Sequence, residues 1–168
     1  MTYDERIYQR ATSDGIPPVL ATIIVAQAMH ETGGYTSNAF ESCNNCFGYK
    51  WVGQASALGP CILSSEGDSY AKYNSIEQSV DELVGWIQRR QKEGTFPKDL
   101  ATITSPEQYA GLLYNKGYFG YTSSALSNYI KGLTYWLNQI SATLSTPGMG
   151  IGLTLAIIAI ILILQRKK

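Results

Sequence analysis

The feature that most constrains the fold of this chain is a charge-free apolar run near its C-terminus. Residues 148–164 read GMGIGLTLAIIAIILIL, and basic residues at 166–168 end the 168-residue sequence. A helix over this run would span about 25 Å, close to the roughly 30 Å hydrocarbon core of a bilayer. A run without a polar stripe is untypical of a helix on the surface of a globular domain. We therefore expect a linker over 141–147, a transmembrane helix over 148–165 and a basic tail over 166–168.

The charge balance separates this segment from the rest of the chain. Over the whole sequence, thirteen Lys and Arg residues balance thirteen Asp and Glu residues. Three of the basic residues lie in 166–168, so the preceding part carries more acidic than basic groups. Such a part is not expected to recognise nucleic acid specifically. We expect one domain over 1–140, and the N-terminal MTYDERIYQR, which has no apolar run, predicts no signal peptide.

Helical signals dominate the predicted domain. Two prolines open and two glycines close an apolar stretch over 17–32. Ser75 and Ser105 each stand three residues before a Gln, a spacing typical of helix N-termini. In between, short β-prone pieces separated by Gly and Pro predict a hairpin. The fold class is therefore α+β and mostly helical, with helices over 3–13, 17–32, 75–92, 105–114 and 123–141 and a small β-hairpin insert within 46–73.

The three cysteines, Cys43, Cys46 and Cys61, leave two states open. The chain can hold one disulfide and one free thiol, or three thiols. The Cys43-x-x-Cys46 pair has no second pair to complete a zinc site, and His30 is the one histidine of the sequence. We expect neither a metal site nor a cofactor.

Glu31 is the residue whose position most clearly indicates chemistry. It is the last charged residue of the apolar helix and stands just before the two closing glycines. Burial at such a helix end raises the pKa of a carboxyl, which suits a general acid near neutral pH. The neighbouring His30 points about 100° away around the helix, so we expect it to pack rather than to react.

Five short motifs along the chain support a catalytic role for Glu31. In order they are QAMHETGG at 27–34, NNCFGYK at 44–50, YAKYNSIEQSV at 70–80, GYF at 117–119 and NYI at 128–130. Their order and spacing over 20–140 resemble the peptidoglycan-cleaving endo-β-N-acetylglucosaminidases of the flagellar-rod and autolysin type. The resemblance implies a lysozyme-like fold and hydrolysis of the glycan strand of peptidoglycan.

The resemblance also implies roles for individual residues. Glu31 aligns with the catalytic acid, Glu66 with a base or a stabiliser of the cationic transition state, and Tyr118 with an active-site tyrosine that orients the sugar. Two carboxylates across the sugar bond are what glycoside hydrolysis requires, and aromatic rings stack on sugars. The residues expected to bind substrate are Tyr35, Asn45, Phe47, Gly48, Tyr49 and Tyr121.

Other functions stay open at this point. A muramidase or lytic transglycosylase on the same fold would use Glu31 as its single essential acid. The sequence HETGG at 30–34 is also similar to chitinase-like endolysins, in which Glu41 would be the second carboxylate. A different class is a glycan-binding structural membrane protein without catalytic activity.

The expected anchor leads to an expected location. Basic residues at 166–168 favour the cytoplasmic or internal side of a membrane, which leaves the enzyme on the other side. We expect a single-pass membrane protein that acts as a lytic enzyme in the virion of a membrane-containing bacteriophage. Its partners would be peptidoglycan, the lipid bilayer through 148–165 and viral capsid proteins. The alternatives are a tail-anchored bacterial envelope enzyme and a holin-linked lysis protein.

Overall fold

A computed structural model describes residues 1–144 of the chain, with side chains through residue 140. This part is mostly helical with one small two-stranded sheet, as the sequence predicts. Its elements are α1 (Tyr3–Ser13), α2 (Pro18–Thr32), α3 (Asn38–Cys43), β1 (Gly59–Leu63), β2 (Ser69–Lys72), α4 (Ile76–Lys92), a 3-10 turn (Leu100–Thr102), α5 (Pro106–Tyr114) and α6 (Ser123–Leu144).

The transmembrane helix is the part of the predicted fold class that has to be corrected. Within residues 1–144, no helix is both long enough and apolar enough to cross a bilayer. Helix α6 reaches 22 residues, but exposed polar side chains such as Asn128 and Lys131 alternate with its buried apolar ones. It also continues to Leu144, into the predicted linker. The segments 148–165 and 166–168 lie outside the described residues, and the supported fold class is a mostly helical α+β domain.

Helix α2 is the centre of the core. Its apolar side chains from Leu20 to Ala28 are fully buried, and it packs against α1 and α6. A proline in its first turn fits the helix start because that turn needs no N–H donor. Gly33 ends the helix at φ 60°, a left-handed conformation that glycine adopts without strain. This ending fixes Glu31 in the last turn of a buried helix.

The N-termini of two later helices confirm the sequence signals. The hydroxyl of Ser75 accepts a hydrogen bond from the backbone N–H of Gln78 at 3.4 Å, and that of Ser105 accepts one from the backbone N–H of Gln108 at 3.4 Å. These caps satisfy backbone donors that the first helical turn leaves free. They fix the starts of α4 and α5.

The hairpin is held to the helical part by a disulfide. Strands β1 and β2 pair antiparallel, and Cys61 in β1 bonds to Cys43 at the end of α3. Cys46 is a buried free thiol. Of the two states that the sequence leaves open, the structure therefore has one disulfide and one thiol. The bond ties the hairpin to the segment that follows Glu31.

Candidate active site

Glu31 lies where two adjoining cavities meet. One has a volume of about 240 Å³ and the other of about 390 Å³, and both are lined by Glu31 and Gly48. We call them the polar cavity and the aromatic cavity, and together the cleft. Besides the two shared residues, the polar cavity is lined by Ser37, Asn38, Ala39, Asn45, Ile62, Leu63, Ser64, Ser65 and Tyr70. The aromatic cavity is lined by His30, Phe47, Tyr49, Lys50, Tyr118, Phe119 and Tyr129.

The environment of Glu31 favours the protonated carboxyl. Burial raises its pKa from 4.5 to about 7, and the hydrogen bond from Tyr129 opposes this rise. The Tyr129 hydroxyl on α6 donates to Oε1 of Glu31 at 2.6 Å. The other oxygen, Oε2, lies beside Gly48, where a Cβ would sit 3.7 Å from it. Near neutral pH the carboxyl is therefore able to give a proton to a bound group in the cleft.

Asn45 builds the loop that brings Gly48 to Glu31. Its amide nitrogen donates to the carbonyls of Tyr49 at 2.8 Å and Ala71 at 3.0 Å. Its Oδ1 accepts from the backbone N–H groups of Phe47 at 3.3 Å and Tyr49 at 3.0 Å. The side chain is fully buried and uses both donors and both acceptor positions. Asn45 thus faces the polar cavity as a structural residue, not as a free sugar ligand.

Tyr118 lies in the aromatic cavity together with Glu31. Its hydroxyl donates to the carbonyl of Phe47 at 3.1 Å. Its ring contacts Tyr49 and Trp86 edge to face, with centroids 6.1 Å and 5.8 Å away. The structure therefore brings the predicted residues Phe47, Gly48, Tyr49 and Tyr118 together around Glu31.

Glu66 occupies the turn between β1 and β2. Its side chain is 74% exposed, and its carboxylate pairs with the Lys50 ammonium at 3.3 Å. The preceding residues Ser64 and Ser65 line the polar cavity, and Lys50 lines the aromatic one. The structure places Glu66 at the rim of the cleft, outside the residues that line it.

Two predicted substrate-binding tyrosines are not among the residues that line the cleft. The hydroxyl of Tyr35 donates to Asp4 at 2.5 Å, and Tyr35 and Glu41 line a separate cavity of about 320 Å³. Gly33, Gly34 and Tyr35 all have positive φ after α2, and the Tyr35 ring lies 5.3 Å from that of Tyr3 in α1. Tyr121 is 78% exposed and lies over Gly117. As Glu41 lines that separate cavity, the structure does not bring it to Glu31 as a second carboxylate.

Tyr129 and His30 are among the residues that line the cleft without a catalytic or substrate-binding role predicted from the sequence. Tyr129 belongs to the NYI motif, which could have identified it, but its contact with Glu31 joins residues 98 positions apart. His30 packs edge to face against Tyr129 at 5.0 Å between ring centroids, and burial lowers its pKa. Its ring lies so close to α6 that a Cβ on Gly132 would clash with it. His30 thus packs, as the sequence predicts.

In the part of the chain that the structure describes, no three His, Cys, Asp or Glu side chains are grouped to hold a metal ion. The cleft offers instead a buried acid, phenol rings and backbone groups. That set suits the binding of an uncharged, hydroxyl-rich chain and proton transfer to it.

Comparisons with known proteins agree with this arrangement. Residues 7–142 match the sequence model of a family described as glucosaminidase, mannosyl-glycoprotein endo-beta-N-acetylglucosaminidase. A solved structure described as a type VI secretion system effector-immunity complex from Pseudomonas protegens contains a similar chain. The two align with a TM-score of 0.55 and 15% identity over 80% of this chain and 87% of that chain. This likeness shows a shared fold. No curated protein matches the sequence significantly.

Proposed function

The chain belongs to the glucosaminidase family, and we propose that it cleaves the β-1,4 glycan strand of peptidoglycan with Glu31 as general acid. Family membership makes it a glycoside hydrolase that acts on the cell wall. The single observation that supports the finer assignment is the Glu31 carboxyl, which burial keeps protonated up to about pH 7 where two cavities meet. A glycan strand lying through both cavities would pass its scissile bond over this group.

In the proposed reaction, the proton of Glu31 goes to the glycosidic oxygen. The bond between that oxygen and the anomeric carbon breaks, and the leaving sugar departs as an alcohol. Positive charge develops on the remaining sugar ring, and a water molecule adds to it and gives up a proton. Glu66 stays the proposed acceptor of that proton, or a stabiliser of the charge, because it lies on the hairpin turn at the rim of the cleft.

Replacing Glu31 with Gln tests the assignment. Gln keeps the shape and still accepts the Tyr129 hydrogen bond but cannot give a proton to the leaving oxygen. We expect the clearing of purified cell walls to fall by a factor of about 100 or more. The matched control is Glu41→Gln, an exposed carboxyl on the separate cavity, which should clear walls like the wild type. Unchanged clearing by Glu31→Gln, with the same circular dichroism, contradicts the proposal.

A second candidate function is supported by the surroundings of Glu66. Its carboxylate is largely exposed and bound to Lys50, which fits an enzyme with Glu31 as the single acid, such as a muramidase or lytic transglycosylase. Glu66→Gln decides between the two. A strong loss of clearing supports the two-carboxylate mechanism, and full activity supports the single acid. Mass spectrometry of the released fragments then identifies the sugar at the new end.

The other expectations from the sequence can also be tested. A glycan-binding protein without catalytic activity would bind purified walls, and the wild type would release no fragments. The location in a virion and the capsid partners stay predictions from the sequence. Absence of the protein from purified virions would contradict them.

A further inference from the structure

Behind Glu31 lies a buried polar chain that the proposed reaction does not yet use. Gln27 precedes Glu31 by one turn of α2, so both side chains lie on the same face of the helix. Gln27 and Tyr109 on α5 are fully buried, and Tyr129 on α6 is 6% exposed. The Tyr109 hydroxyl donates to Oε1 of Gln27 at 2.7 Å. Three helices thus supply polar groups to the buried region behind Glu31.

The contact with Tyr109 fixes the direction of the Gln27 amide. Since Oε1 accepts from Tyr109, Nε2 is turned the other way and can only donate. Burial raises the pKa of Tyr129 well above its usual value, and contact with the Gln27 side chain opposes this rise. Nε2 itself makes no regular hydrogen bond. With a donor facing its oxygen, the Tyr129 hydroxyl directs its own proton to Oε1 of Glu31 at 2.6 Å.

This arrangement distinguishes the two oxygens of Glu31. Oε1 is occupied as an acceptor, so a proton on the carboxyl belongs on the other oxygen. Oε2 lies beside Gly48, which lines both cavities of the cleft. We propose that Gln27, anchored by Tyr109, is a positioning residue that keeps Tyr129 donating to Oε1 of Glu31 and so holds the acidic proton on Oε2, toward the substrate. The inference rests on the proposed function of Glu31.

Other ionisable groups near Glu31 do not take over the role of Gln27, Tyr109 and Tyr129. His30 is adjacent on α2, and burial lowers its pKa, so it is neutral near pH 7. Tyr118, from the loop between α5 and α6, gives its proton to the Phe47 carbonyl. Lys50, from the loop after α3, lines the aromatic cavity but pairs with Glu66. Among the described residues, the hydrogen bond that reaches the Glu31 carboxyl comes from Tyr129.

The test is the pH dependence of kcat and kcat/KM on soluble peptidoglycan glycan fragments. Tyr129→Phe removes a bond that favours the carboxylate, so the alkaline limb should move up by about one pH unit. Gln27→Met keeps the length of the side chain and removes its polarity. We expect it to lower kcat about tenfold at acidic pH with little change in KM, and to move the alkaline limb in the same direction by less.

Tyr109→Phe and Tyr73→Phe complete the design. Tyr109→Phe removes one oxygen, disturbs the fold least and should reproduce the effect of Gln27→Met in weaker form. Tyr73 is another fully buried tyrosine, on the hairpin side and with no regular hydrogen bond to its hydroxyl, so Tyr73→Phe should leave the pH profile unchanged.

The outcomes separate the two proposals. If Glu31→Gln is inactive while Gln27→Met and Tyr109→Phe give the wild-type kcat and pH profile, the positioning role is wrong and the function of Glu31 stands. If Gln27→Met does not fold, Tyr109→Phe alone tests the positioning role, and a wild-type kcat and pH profile of that variant would show that the role is wrong. Full activity of Glu31→Gln would instead overturn the proposed function.

Discussion

Replacing Glu31 with Gln should stabilise the folded domain above neutral pH. Folding raises the pKa of this carboxyl from 4.5 to about 7, because the last turn of α2 is buried. At acidic pH the group is protonated in both the folded and the unfolded chain, so its burial does not lower the free energy of unfolding through ionisation. As the pH rises through this window the unfolded chain ionises first, so the stability of the wild type falls by about 3 kcal/mol by the alkaline end. Gln does not titrate and avoids this loss.

The assay is urea unfolding of the wild type and of Glu31→Gln on both sides of this pH window. The variant should match the wild type below pH 4.5 and exceed its free energy of unfolding by about 3 kcal/mol at alkaline pH. Glu66→Gln is the control, since an exposed carboxylate paired with Lys50 contributes no more than about 1 kcal/mol. A difference between Glu31→Gln and wild type that does not depend on pH would refute the reasoning, because burial would then not be raising the pKa.

Three further predictions concern the frame around the cleft. Asn45→Ala removes four hydrogen bonds and should lower the free energy of unfolding by about 3 kcal/mol in urea titrations, with loss of wall clearing as Gly48 moves. Gly132→Ala places a Cβ against the His30 ring and should lower stability by about 2 kcal/mol in the same measurement. Reduction of the disulfide, which spans 18 residues, should lower stability by about 3 kcal/mol, measured with and without a reductant that reaches it.

Each of these changes has a matched control. Asn115→Ala alters an exposed asparagine and should change stability by less than about 0.5 kcal/mol. Gly111→Ala adds a Cβ within α5 where nothing lies within 4 Å, so it should stabilise the helix by up to about 1 kcal/mol. A variant with serine at both Cys43 and Cys61 should no longer respond to the reductant. If a variant and its control changed the free energy of unfolding equally, the contact removed or strained in that variant would not contribute to stability.

Features encoded by neighbouring residues could be predicted from the sequence. The caps at Ser75 and Ser105 depend on a side chain three residues from its partner, and both form. The buried end of α2 follows from an apolar run and two glycines, so the environment of Glu31 was predictable as well. Order and spacing of short motifs were sufficient to indicate the family, since the family match spans residues 7–142.

Features that depend on distant contacts were not predictable in the same way. The sequence predicts that Asn45 binds substrate. One of its four side-chain hydrogen bonds goes to the carbonyl of Ala71, 26 residues away, and this contact makes its role structural. Tyr129 meets Glu31 only because α6 packs on α2. The sequence predicts that Tyr35 binds substrate, whereas its hydroxyl donates to Asp4 in α1. Spacing along the chain does not report which face of the fold a loop residue reaches.

The central claim is that Glu31 supplies the proton that breaks the glycan strand. The most direct measurement is the rate at which equal amounts of folded wild type and Glu31→Gln clear purified cell walls at a pH below the Glu31 pKa of about 7. We predict that the variant is slower by a factor of about 100 or more. Clearing at the wild-type rate by the variant would contradict it.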